Sequence, residues 1–212
     1  MTIDIDILIK QIAHTLEARE AEIKLEQAVY GIDSLDELSI QALIANGLVQ
    51  HYSVAREVHY PSSIGNKLSN RARCDIVLTP KSHPLRLDST PPSLFEPTDF
   101  TLPTDAFWME VKCAYQFRTP DERHRGYGEQ WRGKVVEDLR KMDADELIRR
   151  AGLLLIVFTE SNEIVEKDLA LFEDILVKKE VLAGFRQTRS IPIIERIGHR
   201  VCTAALWPTI QR

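Results

Sequence analysis

No stretch of the 212 residues stays apolar for the roughly 18 positions a membrane-crossing helix needs; the longest such run is Leu153 to Phe158. The opening Met1-Thr2-Ile3-Asp4-Ile5-Asp6 lacks the basic and apolar regions of a secretory signal. Cysteine is scarce. Cys74, Cys113 and Cys202 are odd in number and scattered, which excludes a disulfide framework and a zinc-type cluster. Together these absences predict a reduced, soluble, cytoplasmic protein with no membrane partner. Positive charge is not in excess either: 27 Lys and Arg face 32 Asp and Glu, a net charge of -5. That argues against non-specific coating of nucleic acid, which runs on clustered cations, and leaves local basic patches open. The six histidines show no metal-ligand spacing, and there is no Gly-rich phosphate loop and no Gly-x-Ser-x-Gly elbow.

What is present is an ordinary globular composition, 44% hydrophobic and 28% charged, which rules out disordered and fibrous classes. From Ile3 to about Val29, apolar residues at Ile5, Leu8, Ile9, Ile12, Ala13, Leu16, Ile23 and Leu25 follow helical spacing. Residues 1–31 are therefore expected as an N-terminal helical arm, whose stripe offers a homodimer interface. Residues 32–212 form the expected α/β domain. It opens with a helix from Asp33-Ser34 to Gly47. Three strands follow, Val49–Tyr60, Ala72–Leu78 and Phe107–Phe117, as an antiparallel meander. Between the last two, Pro80 to Thr104 holds six of the ten prolines. A helix is expected from Tyr127 to Ala151, broken by Gly152. A strand buried on both faces then runs from Leu153 to Thr159, a helix capped by Ser161 or Asn162 extends to about Ala183, and a hairpin closes the chain (Ile191–Ile197 and Arg200–Leu206). The fold class is thus α/β, a mixed central sheet flanked by helices, with a helical crossover into the fourth long strand.

The chemistry-bearing residues interrupt these strands. In Phe107-Trp108-Met109-Glu110-Val111-Lys112-Cys113, side chains two apart share a face, so Glu110 and Lys112 project together with Trp108. Asp75 joins them if its strand pairs with this one. Two carboxylates, Asp75 and Glu110, with the backbone carbonyl of Val111, make a hard oxygen site suited to Mg²⁺, with Mn²⁺ as an alternative. Such a metal acidifies a bound water and offsets charge on a phosphate, and the Lys112 ammonium can orient that water. The competing reading is a strand ion pair on a solvated face.

Asp75, then Glu110-Val111-Lys112 about 35 residues later, resembles the PD-(D/E)XK nuclease superfamily. The order of elements from about Ser34 to Thr159 is similar as well. The resemblance implies a restriction-endonuclease-like core and hydrolysis of phosphodiesters, most of all in DNA, with RNA left open. By position it implies Glu37 as a further catalytic carboxylate, and Gln130 or Lys134 facing the site from the helix after the lysine strand. The chain departs from the family at Cys74, where the motif's name has proline, and shows no Gln-x-x-x-Tyr after Lys112. Glu37 has a competing reading, because Ser34-Leu35-Asp36-Glu37 fits a capping box. Arg118, Arg123, Arg125, Gln130, Arg132 and Lys134, with aromatics interleaved, are candidate nucleic-acid contacts. Glu137, Asp138, Arg140 and Lys141 read as solvated helix pairs. The alternative function is a nuclease fold without catalysis, serving as a nucleic-acid-binding or protein-interaction module.

Overall fold

The structure, a computed structural model, describes residues 3–63, 72–87, 99–119 and 122–210, without the side chains of Ser63 and Gln130. The middle of the Pro-rich stretch, and Ile64-Gly65-Asn66 of the turn that the sequence predicts from Pro61, lie outside the described residues.

The longest apolar run becomes the centre of the fold. Strand β6 (Ala151–Thr159) is buried at all nine positions, and its alternation feeds two cores. Leu154, Ile156 and Phe158 point into one, Leu153, Leu155 and Val157 into the other. Around it lie β1 (Tyr52–His59), β2 (Arg73–Pro80), β3 (Phe107–Tyr115), β7 (Gln187–Pro192) and β8 (Val201–Pro208), in the order β1-β2-β3-β6-β8-β7. The pair β3 and β6 is parallel; every other neighbour is antiparallel. Strands β4 (Phe117–Thr119) and β5 (Glu122–Arg123) form a separate small hairpin that the sequence did not announce.

Helices α1 (Ile5–Leu25) and α2 (Glu37–Leu48) cover one face. Helices α3 (Tyr127–Asp143) and α4 (Asn162–Lys178) cover the other. Each side chain such as Leu155 or Phe172, wholly removed from water, contributes roughly 1.5–3 kcal/mol against the entropy of ordering the chain. The result is an α/β fold with a mixed six-stranded sheet. Among the described residues no helix is long and apolar enough to cross a membrane.

Helix α1, capped by the Asp4 carboxylate on the N–H groups of Asp6 and Ile7, is no free-standing rod. Leu8, Ile9, Ile12, Leu16 and Ile23 are buried in the first core beside β7 and β8 residues, and Asp6 pairs with Arg189 of β7. The stripe that could have met a second copy is used within the chain. Helix α3 also differs from expectation, ending at Asp143 instead of Ala151. The Asp145 carboxylate accepts from the N–H groups of Ser62 and Leu147 and turns the chain. Ala151 then pairs with Trp108 as the start of β6. Gly152 is not a helix breaker but a strand residue in a tight slot. A Cβ there would lie 2.9 Å from Phe107 Cζ and 3.1 Å from the Trp207 carbonyl oxygen.

Candidate functional site

The site begins where two strands part. Antiparallel pairing of β2 with β3 ends at Ile76 opposite Met109. Beyond that point the β3 N–H groups on the β2 side turn to side chains. Val111 N–H donates to Asp75 Oδ2 at 2.7 Å, and Cys113 N–H donates to Glu37 Oε2 at 3.0 Å. Buried N–H groups must be satisfied, so the splayed edge of β3 fixes two carboxylates in place. Glu37 is the first residue of α2, and the helix cap is Asp36, which accepts from Ser39 N–H at 2.8 Å. Ser34 sits in a preceding 3₁₀ turn and donates to the Gly31 carbonyl. The capping box expected for Ser34 and Glu37 is therefore absent, and Glu37 is free to reach β3.

Side-chain alternation on β3 brings up the remaining groups. Trp108, Glu110 and Lys112 share the α3 face, while Met109 and Val111 enter the other core. Glu110 is 1% exposed. Its Oε1 accepts from Tyr60 at 2.5 Å and from Lys141 Nζ at 2.7 Å. Tyr60, just past β1, stacks on Trp108. Burial, with the charge of Asp75, pushes the Glu110 carboxyl up to about 7, against the pull of Lys141 and Tyr60. Burial also pushes the Tyr60 phenol up.

Lys112 is the hub. Its Nζ lies 3.4 Å from Asp138 Oδ2, 3.6 Å from Glu37 Oε1, 3.7 Å from Asp75 Oδ2 and 3.9 Å from Glu110 Oε2. It also donates to the Val111 carbonyl at 3.2 Å. Burial opposes its charge, but Asp75, Asp138, Glu37 and Glu110 outweigh burial and hold the ammonium above the ordinary lysine range.

All four residues expected to carry catalysis, Glu37, Asp75, Glu110 and Lys112, thus come together from α2, β2 and β3. Sequence reasoning missed Tyr60, Asp138 and Lys141, the last two having been read as solvated pairs. A signal for Asp138 existed: it continues the stripe Trp131, Val135 and Met142, all buried, so a carboxylate there faces inward. The expected nucleic-acid contacts lie on β4, β5, the turn after it and α3. Arg118, Arg125 and Lys134 are exposed. Arg123 pairs with Glu160 at 3.2 Å. Arg132 pairs with Asp168 of α4 at 3.1 Å and lies over Trp131. The side chain of Gln130 lies outside the described residues.

The donors around Lys112 are all oxygens, the chemistry Mg²⁺ prefers. Glu37 and Glu110 each have one oxygen anchored by the protein and the other turned toward the hub. The donor set fits such an ion, although the carboxylates now converge on an ammonium. Among the described residues no three His, Cys, Asp or Glu side chains form a ready metal cage. Compared with protein-family models, curated proteins and solved structures, the chain matches none.

Proposed function

We propose that this chain is a metal-dependent nuclease of the PD-(D/E)XK superfamily, hydrolysing phosphodiester bonds, most of all in DNA. The observation that carries the reading is the convergence of Glu37, Asp75 and Glu110 on Lys112 where β2 and β3 part. The run α2, β1 to β3, α3 and a β6 parallel to β3 supports a restriction-endonuclease-like core. Asp75, Glu110 and the Val111 carbonyl would hold Mg²⁺ or Mn²⁺, with Glu37 as auxiliary carboxylate. Such an ion supplies neutralisation of phosphate charge and a more acidic water. Lys112, held charged by its neighbours, orients the attacking water and offsets charge on the phosphate. The Tyr60 hydroxyl and Lys141 fix one oxygen of Glu110 and leave the other turned inward.

The test is cleavage of plasmid, linear and single-stranded DNA, and of RNA, with Mg²⁺ or Mn²⁺, by wild type and Glu110→Gln. Cutting that requires metal and falls at least about 100-fold in the variant supports the reading. A second reading has one observation in its favour: Glu110 is already paired with Tyr60 and Lys141 inside the chain. That suits a nuclease fold that binds without cutting. Metal-free binding of DNA with no cleavage of any substrate would select it.

A further inference from the structure

Four charges on two elements close a ring. On β3, Glu110 and Lys112 are two apart; on α3, Asp138 and Lys141 are three apart, and each spacing presents both groups on one face. Going round, Glu110 Oε2 to Lys112 is 3.9 Å, Lys112 to Asp138 Oδ2 is 3.4 Å, Asp138 Oδ1 to Lys141 is 3.1 Å, and Lys141 to Glu110 Oε1 is 2.7 Å. The signs alternate around the ring.

Asp138 is the carboxylate of the ring that lies on α3. It caps no helix. Lys141 holds its Oδ1, and its Oδ2, although buried, accepts no hydrogen bond. That oxygen faces the Lys112 ammonium. A buried carboxylate oxygen without a hydrogen bond costs free energy. Such an arrangement points to a task at Lys112. We propose that Asp138 is a positioning residue that draws the Lys112 ammonium toward the α3 side of the cleft, 3.4 Å from its Oδ2, against the pull of the Asp75 and Glu110 oxygens at 3.7 and 3.9 Å.

The proposal rests on the nuclease reading. Lys112 has Asp75, Glu110, Glu37 and Asp138 around it, and three of those carboxylates belong to the proposed metal and catalytic set. A divalent cation held by them would repel Lys112 from that side. Asp138, outside the set, is the carboxylate left to keep it beside the phosphate. Without Asp138 the ammonium falls back onto Asp75 and Glu110 and competes with the cation.

Two arms test this. In metal-free protein, the ¹⁵Nζ ammonium resonance of Lys112, assigned by its loss in Lys112→Met, is followed by NMR. It should broaden away or shift in Asp138→Asn and persist in Asp138→Glu, with unchanged thermal unfolding as the control for folding. An unchanged resonance in Asp138→Asn would overturn the proposal. In the second arm, calorimetry measures Mg²⁺ affinity. Asp138→Asn should weaken it about five-fold or more when Lys112 is present, and by less than about two-fold in a Lys112→Met background. With DNA, kcat should fall about 10- to 100-fold at unchanged KM, and Asp138→Glu should recover most of it. Equal weakening in both backgrounds would make Asp138 a bystander charge and overturn the positioning role. A wild type that binds no Mg²⁺ and cuts nothing defeats the nuclease reading, and the NMR arm then decides alone whether Asp138 holds Lys112.

Discussion

Replacing Glu20 by alanine should cost this protein more than any change on its exposed helical faces. Glu20 is a carboxylate on α1 that is only 6% exposed. Its Oε2 accepts from Ile32 N–H at 3.1 Å, while Oε1 accepts from Ile194 N–H at 3.1 Å and from Arg196 at 2.9 Å. One side chain therefore ties the helix to the turn after it and to the loop between β7 and β8. Alanine leaves a buried N–H and a largely buried guanidinium without this acceptor. An orphaned donor costs roughly 1–3 kcal/mol, and breaking a buried ion pair from one side costs about 3–5 kcal/mol. The two overlap, so a total of about 3–5 kcal/mol is expected. For a chain of this size that corresponds to a drop in Tm of roughly 6–20 °C. Urea unfolding followed by far-UV circular dichroism measures it, with Glu22→Ala as control. Glu22 lies two residues on, is 62% exposed and pairs with Arg19, and should cost less than about 0.5 kcal/mol. Glu20→Gln, which keeps one accepting oxygen, should fall between. A loss below about 1 kcal/mol in Glu20→Ala, with an unchanged denaturant slope, would refute the view that α1 is locked into the fold through this residue.

Three further outcomes follow from one buried carboxylate and two glycines. The Glu110 carboxyl lies at about 7 in the fold against an ordinary 4.5, so the folded state holds this proton more tightly than the unfolded chain. In EDTA, stability should then fall by up to about 3 kcal/mol as pH rises from about 4.5 to 7; Glu110→Gln should flatten that slope, and parallel urea midpoints for the two proteins across this range would sink the assignment. Gly152→Ala should lose about 1–3 kcal/mol by calorimetry, because its Cβ meets Phe107, Leu206 and the Trp207 backbone. Gly133→Ala should gain up to about 1 kcal/mol, since a Cβ there meets nothing within 4 Å on α3. The reverse ranking would show that the slot around Gly152 yields.

Strand alternation made half of the site readable in advance. Glu110 and Lys112 share a face with Trp108 because side chains in a strand alternate, and that rule needs no partner. The meander and the crossover into β6 were readable too, through apolar runs and turn residues of ordinary strength. Glu37 was ambiguous for a local reason: a Ser three residues earlier offered it a cap, and only the approach of β3 shows that Cys113 N–H claims it. Asp138 and Lys141 were hidden by their neighbours in sequence, since a run of mixed charge looks solvated until the sheet presses on one side of the helix. His199 shows the same limit. It is fully buried, its Nδ1 is 3.0 Å from Asp33 Oδ2 and its Nε2 accepts from Phe117 N–H, contacts that span more than eighty residues and leave no local trace.

The seating of α1 against β7 and β8 also sets an order in time. Asp6 meets Arg189, and Glu20 meets Ile194 and Arg196, across separations of 183, 174 and 176 residues. At a synthesis rate of about 5–20 residues per second, α1 waits roughly 10–35 s for its partners to be made. During that interval the sides of Leu8, Ile9, Ile12 and Leu16 that β7 and β8 will cover stay open to water, with α2 as the early neighbour of α1. Pulse-labelled chains stalled before residue 187 should therefore be far more sensitive to protease than chains stalled with β8 already outside the ribosome.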